Sequence, residues 1–281
     1  MPASDVRQAL DAATDAFRAA GIEDPRLDAE VLLAEASHRN RASLISDSAI
    51  GLGPVASRLY GEMVRRRLRR EPVAYIVGRK GFRHLDIAVD RRVLIPRPET
   101  ELLVEIALER RPATLLDVGT GSGAIALAVA AELPGCAVTA TDTSPRALEV
   151  AAANAERLGL AGRVRFLLGS LPEGEEFDLV LANLPYVAER DWASLQPEVT
   201  EWEPREALLA GPDGLDAYRV LLGDCGSPLC RIGPQRTAAI ALEVGAGQAS
   251  VVAELMRGAG FGSIEAHRDL AGIERVVIGE R

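Results

Sequence analysis

Apolar side chains in the first part of the chain recur at helical spacing. Val6, Leu10, Ala13 and Phe17 fall on one face of a helix that Gly21 closes. Asp24-Pro25 opens a second helix, with proline at its first position, carrying Leu27, Ala29, Val31, Leu32 and Leu33. After a loop around Asn40, Ser43–Ser46 suggest a short turn. Gly51-Leu52-Gly53-Pro54 then leads into a third helix through Val55, Leu59, Met63 and Leu68. The pattern changes after Pro72. Ala74–Gly78 and Phe82–Val89 read as the strands of a short β-hairpin or as an extended linker. Pro96 and Pro98 fix an extended lead into a helix through Leu102, Leu103, Ile106 and Leu108.

From Pro112 short apolar runs alternate with helical segments, which argues for a parallel α/β sheet. Strands are predicted at Thr114–Val118, Cys136–Thr141, Val164–Leu168 and Phe177–Ala182. Later ones follow at Ala238–Val244, Phe261–His267 and Arg275–Ile278. Helices are predicted from Gly123 to Glu132, from Ser144-Pro145 to Leu158, from Asp216 to Leu222 and from Gln248 to Gly258. Cys225–Arg236 fits neither pattern.

Composition narrows the chemistry. The chain has 281 residues, 48% of them hydrophobic, enough for a sizeable core. Its net charge of -9 is a poor match to nucleic acid, whose phosphates call for clustered cations. The run Arg65-Arg66-Arg67-Leu68-Arg69-Arg70 stands out against that charge. It reads either as the solvated end of a helix, where cations suit the dipole, or as a docking patch for an acidic macromolecule. Cys136, Cys225 and Cys230 match no zinc spacing and suggest no disulfide framework, so a reduced cytoplasmic setting is expected. No signal peptide and no membrane-spanning stretch is visible. None of His38, His84 and His267 neighbours a nucleophile or a metal-ligand pattern, so neither histidine base catalysis nor a metal is expected.

Two stretches carry the chemistry. Asp117-Val118-Gly119-Thr120-Gly121-Ser122-Gly123 lies between a strand and a helix. Glycines there allow a sharp turn and close approach of a ligand, and the helix N-terminus suits an anionic group. Asp142, at the end of the next strand, can accept both hydroxyls of a ribose. Together they form a nucleoside-binding signature. The second stretch, Asn183-Leu184-Pro185-Tyr186, ends a buried strand. Pro185 holds Leu184 extended, so a backbone carbonyl points outward beside an amide and a ring. Such a corner can accept two hydrogen bonds from a planar NH2 group.

With both stretches in place, the sequence resembles S-adenosylmethionine-dependent methyltransferases acting on planar nitrogens. The segments Leu94–Glu101, Glu203–Leu208, Gly211–Arg219 and Glu243-Val244-Gly245 narrow the likeness to the HemK/PrmC family, the protein-glutamine N5-methyltransferases of peptide chain release factors. The resemblance implies a Rossmann-like class I methyltransferase sheet over residues 96–281. It also implies an N-terminal helical-bundle domain over 1–72 for substrate recognition, and a β-hairpin linker over 73–95. It implies S-adenosylmethionine held by Gly119, Thr120, Gly121, Ser122, Gly123, Asp142, Leu171 and Asn183. The substrate would be the glutamine of a release-factor Gly-Gly-Gln motif, bound by Asn183, Leu184, Pro185, Tyr186 and Arg97. The first four of these would carry catalysis. The form expected is a cytoplasmic monomer with no direct nucleic-acid partner. Leu184 stands where the family usually has proline, and Ser170-Leu171 where many members have an acid and an apolar residue.

Other readings remain open at this level. An adenine amino group presents the same two donors as a glutamine amide, so a nucleic-acid adenine-N6 methyltransferase fits the corner, and so does a ribosomal-protein glutamine methyltransferase. A nicotinamide-dependent oxidoreductase would also use the glycine loop and Asp142, but its third glycine normally falls one place later.

Overall fold

Asp5 accepts the Gln8 amide proton at 2.7 Å and so caps the first helix, α1 (Val6–Ala19). The structure, a computed structural model, describes residues 5–46, 51–172, 174–223 and 237–281. The unplaced stretch Cys225–Arg236 lies outside them. The chain divides into two units, Met1–Arg79 with Gln196–Trp202, and Lys80–Leu195 with Glu203–Arg281.

The first unit contains α1, α2 (Pro25–Ser37), α3 (Arg41–Ser46), α4 (Pro54–Leu68) and α5 (Val73–Val77). Its core is the predicted stripe of α1, Val6, Leu10, Ala13 and Phe17, closed by Leu32 and Leu33 of α2 and by Tyr60 of α4. The Tyr60 hydroxyl, buried in that core, donates to the Ala29 carbonyl at 3.3 Å. Ala74–Gly78 is not a strand. Val73–Val77 makes one helical turn between Pro72 and Gly78, whose φ of +81° ends it. Burial of the adjacent Tyr75 and Ile76 outweighs the β-preference of the run.

The arginine run is neither fully solvated nor a free patch. Arg67 is 6% exposed, with Nε donating to Asp28 at 2.7 Å and NH1 paired to Glu198 at 2.7 Å. Arg70 pairs with the other oxygen of Glu198 at 2.7 Å and donates to the Ala20 and Gly21 carbonyls. Arg66 grips Glu71 with two bonds. Arg65 and Arg69 remain exposed. Three of the five arginines therefore organise this unit, and Glu198 ties the Gln196–Trp202 segment into it. Removing one partner of a buried pair leaves charge uncompensated. Arg67→Ala is expected to destabilise this unit by about 3 kcal/mol, read as a lowered urea midpoint. An unchanged midpoint would return Arg67 to the solvated reading.

The boundary between the units falls at the start of a two-stranded hairpin, β1 (Arg79–Phe82) and β2 (Leu85–Ala88), all but Arg79 of it in the second. The first strand thus starts later than its sequence pattern suggests. Arg83 takes the turn at φ +51°, held by its amide on Glu101 at 2.9 Å and by its guanidinium on Glu132 at 2.8 and 2.9 Å. After α6 (Glu101–Arg110) come β3 (Thr114–Val118), α7 (Ala124–Glu132), β4 (Ala137–Asp142), α8 (Pro145–Arg157), β5 (Val164–Leu168) and β6 (Phe177–Ala182). The short α9 (Pro197–Thr200) belongs to the first unit. Then follow α10 (Asp216–Leu222), β7 (Thr237–Glu243), α11 (Ala249–Gly258), β8 (Ser263–Arg268) and β9 (Glu274–Glu280).

The seven strands lie in the order β5-β4-β3-β6-β7-β9-β8. Pairs from β5 through to β7 are parallel, and β9 runs antiparallel to both β7 and β8. Residues of the central strands, such as Leu115, Leu116, Val180, Leu181, Ile240 and Leu242, are fully enclosed. Buried parallel strands read as unbroken apolar runs for this reason. From β3 the chain steps outward through β4 to β5, then returns to β6 on the other side of β3. The carboxyl ends of β3 and β6 therefore flank a topological switch point, where ligands of such sheets bind.

Candidate active site

Register decides which residues meet at that switch point. Val118 lies opposite Thr141 on one side and Ala182 on the other, so the glycine loop, Asp142 and Asn183 leave three neighbouring strands at one level. A cavity of about 200 Å³ opens there, with Gly119, Gly121, Asp142, Ser170, Asn183 and Leu184 among its walls. Val93, Leu94, Pro204, Glu206 and Ala207 also line it.

The glycine loop is held by its own amides. Gly119 and Thr120 both donate to the Thr141 carbonyl at 2.9 Å, Gly121 donates to Asp142 Oδ2 at 2.9 Å, and Gly123 to the Thr120 carbonyl at 2.8 Å. The loop thus offers close approach rather than a ring of free donors. A Cβ on Gly119, at φ +74°, would lie 3.5 Å from Leu184 Cδ2 and 3.9 Å from the Asn183 carbonyl oxygen. Leu184, only 9% exposed, packs its side chain against the loop while proline geometry at the next residue is kept.

Behind the loop, Asp117 is fully buried. Its Oδ2 accepts from the Thr120 hydroxyl at 2.6 Å and from Ala126 N at 3.2 Å, which ties the loop to the first turn of α7. Its Oδ1 has no hydrogen-bond partner among the described residues. Burial pushes this carboxyl up to about 7. Asn154 of α8, also fully buried, donates to the carbonyls of Ser122 and Ala88 at 2.9 Å and accepts from Ala88 N at 2.8 Å.

The Asn183 side chain is tied to the segment that leads into α6. Its Nδ2 donates to Thr100 Oγ1 at 3.0 Å. The Tyr186 carbonyl accepts from Gln248 Nε2 at 3.0 Å, and Gln248 Oε1 accepts from Gly245 N at 2.9 Å. Gly214 passes so close that a Cβ there would run into the Tyr186 carbonyl oxygen. Burial raises the Tyr186 phenol to about 12, with Glu243 adding to the effect. No hydrogen bond to the Leu184 carbonyl is found among the described residues. Neither Asn183 Oδ1 nor the Leu184 carbonyl thus has a hydrogen-bond partner among the described residues.

Known proteins match this chain along nearly its whole length. A family model described as the PrmC N-terminal domain matches residues 8–78, and one described as a methyltransferase domain matches residues 115–202. A release factor glutamine methyltransferase of Moorella thermoacetica is 42% identical, with 98% of each chain covered. The chain belongs to the release factor glutamine methyltransferase family. A second member, from Cereibacter sphaeroides, is also 42% identical, with 96% of each chain covered. Among solved structures, the hMettl16 catalytic domain is 17% identical with a TM-score of 0.57, covering 78% of this chain and 82% of its own. It shares the fold. Family membership displaces the nicotinamide-dependent reading and leaves a methyltransferase.

Of the residues singled out in sequence, Gly119, Gly121, Asp142, Asn183, Leu184 and Pro185 line the cavity. Thr120, Ser122 and Gly123 stand behind it and shape the loop: Gly123 faces Leu127 and Ala151 too closely to carry a Cβ without displacement. Leu171 packs against the core cluster of the sheet, as does Tyr186. Arg97 is paired with Glu203, whose other oxygen accepts from Ile95 N at 3.0 Å. That carboxylate is buried, so Arg97 and the Leu94–Ile95 segment are fixed together. Sequence reasoning missed Asn154, Gln248 and the wall formed by Val93 and Glu206. Nothing local marks them: Asn154 and Gln248 bond backbone far away in the chain, and Val93 and Glu206 reach the cavity only through the fold. Among the described residues, no helix is long and apolar enough to cross a membrane, and no group of acids, histidines or cysteines is arranged to hold a metal ion.

Proposed function

We propose that the protein transfers a methyl group from S-adenosylmethionine to the side-chain amide nitrogen of the glutamine in the Gly-Gly-Gln motif of peptide chain release factors. The observation that carries this reading is the paired acceptor at Asn183 Oδ1 and the Leu184 carbonyl, set beside a nucleoside-type crevice in a chain of this family.

The crevice fits the cofactor on its own chemistry. Asp142 places a carboxylate at the end of β4, and Gly119 leaves no side chain between the loop and the cavity. Each Asp142 oxygen takes one backbone amide, from Gly121 and from Ser144, which leaves a lone pair on each for a ribose hydroxyl. When bound, S-adenosylmethionine supplies a methyl group on a positively charged sulfur. The protein's part is to prepare the acceptor. An amide nitrogen is a weak nucleophile because its lone pair is shared with the carbonyl. Asn183 Oδ1 and the Leu184 carbonyl would accept hydrogen bonds from its two N–H groups and hold it in place; as the new C–N bond forms, the pair of the broken C–S bond stays on sulfur and one N–H proton leaves to water. Orientation of this kind contributes about 7–11 kcal/mol in favourable cases. As positive charge grows on the nitrogen, the same two acceptors interact with it more strongly. Pro185 and Tyr186 bound the slot, and the buried Tyr186 phenol stays neutral.

The deciding experiment is mass spectrometry of a release factor incubated with the protein and S-adenosylmethionine carrying a labelled methyl group. One labelled methyl on the Gly-Gly-Gln glutamine is expected. Label on adenine of nucleic acid, or on a ribosomal protein, with none on the release factor, would overturn the substrate assignment.

A further inference from the structure

Glu243 is a buried carboxylate that the chemistry above does not use. It ends β7, which pairs with β6 so that Leu242 lies opposite Ala182. Glu243 and Asn183 are therefore neighbours across the two strand ends. Glu243 is 1% exposed, the nearby Thr100 hydroxyl favours the charged form of its carboxyl, and its Oε2 has no hydrogen-bond partner among the described residues. Thr100 is buried too, and its Oγ1 takes the Asn183 Nδ2 proton. The charged and titratable groups facing Glu243 are Glu99, Arg97, Arg275, Tyr186 and Tyr218. Neither arginine is given over to it: Arg97 pairs with Glu203 and Arg275 with Asp269. The Tyr218 hydroxyl donates to the Glu243 backbone carbonyl at 2.7 Å.

We propose that Glu243 is a positioning residue that acts through Thr100 to set which end of the Asn183 amide faces the substrate. A hydroxyl carries one proton. An ionised Glu243 takes it, so Thr100 Oγ1 can only accept from Asn183, and the amide must turn Nδ2 towards Thr100. Oδ1 is then left for the substrate NH2. When Glu243 is protonated it donates to Thr100 instead. Thr100 then donates its hydroxyl hydrogen bond to Asn183 Oδ1, and the amide turns over. Two NH2 groups would then face each other, and the substrate is refused. This inference rests on the proposed role of Asn183 as acceptor.

The switch falls in a useful range, because burial raises the Glu243 carboxyl to about 7, with Glu99 adding to the rise. The acceptor arrangement is present above that pH and is lost as pH falls through it. The sign for stability is opposite. A carboxyl whose folded pKa lies above its unfolded value costs stability once ionised, so this contribution declines as pH rises from about 4 to about 7 and stays lost above. Glu243→Gln should therefore melt no lower than the wild type at about pH 8, whereas a purely structural role predicts a lower melting temperature.

The test uses the full chain. Without substrate or cofactor, the side-chain amide 15N signal of Asn183, assigned by its absence in Asn183→Asp, is expected to titrate near neutral pH in the wild type. It should stay still in Glu243→Gln. In turnover with a release factor, Glu243→Gln is expected to lower kcat about 30-fold at about pH 8 and to flatten the acid limb, with KM within about threefold. Thr100→Ser should keep the titration and Thr100→Val should abolish it, which carries the test even if Glu243→Gln folds poorly. An Asn183 signal that titrates unchanged in Glu243→Gln and Thr100→Val, or wild-type kcat in both, would overturn the proposal. The NMR readout needs no turnover, so failure of the methyl-transfer reading is seen separately.

Discussion

Asn183→Ala is expected to lower kcat by about 10³-fold while leaving S-adenosylmethionine affinity within about threefold. The substitution removes Oδ1, one of the two acceptors the corner presents. It leaves the Leu184 carbonyl, Pro185 and the frame built by Gln248 in place. A planar NH2 group held by one acceptor can rotate out of line, and one of its donors is left unpaired in a closed slot. The loss should therefore appear in kcat rather than in cofactor binding. Asn183→Asp keeps an acceptor and is expected to retain more activity than alanine, at the cost of a second carboxylate beside Glu243. Steady-state kinetics with a release factor, together with calorimetric titration of the cofactor, separate these effects. Turnover near wild type in Asn183→Ala would remove the corner from the mechanism.

What makes this corner readable in sequence is that its parts are local. Leu179, Val180 and Leu181 form an apolar run because the strand is covered on both faces, and Pro185 marks the turn that follows. The glycine loop and Asp142 are readable for the same reason, since each sits where a strand ends. Register then brings them to one level, which the order of strands in the chain does not state. The parts that stayed hidden are long-range. Arg70 and Glu198 lie 128 positions apart, and Arg97 and Glu203 lie 106 apart. In sequence, Arg65–Arg70 is a cationic run on a helix end, and only the fold reveals the carboxylates that meet it. Ala74–Gly78, expected as a hairpin strand or extended linker, instead lies mostly in the helical turn Val73–Val77 for a related reason. Its Val, Tyr and Ile suit a strand, and the burial of Tyr75 and Ile76 that makes it helical comes from elsewhere. The contact of Thr100 with both Asn183 and Glu243 joins three segments in the same way.

Asp142→Ala is expected to weaken S-adenosylmethionine binding about 100-fold while kcat at saturating cofactor stays within a few-fold of the wild type. Two losses add. The carboxylate gives up the lone pairs proposed to receive the ribose hydroxyls, and each hydrogen bond to a charged acceptor is worth about 1.5–3 kcal/mol. The Gly121 amide also loses its acceptor, so a loop residue at φ +54° is no longer pinned at the cavity wall. A net loss of about 2.7 kcal/mol corresponds to the 100-fold change. Asp142→Asn keeps one acceptor oxygen and should fall between the two. Calorimetric titration gives the affinity, and turnover at raised cofactor concentration shows whether kcat recovers. The contrast with Asn183→Ala is what makes the pair informative, because one substitution acts on affinity and the other on the chemical step. If Asp142→Ala instead lowered kcat and left affinity untouched, its carboxylate would belong to the acceptor side of the crevice, and the division of labour between the ends of β4 and β6 would be reversed.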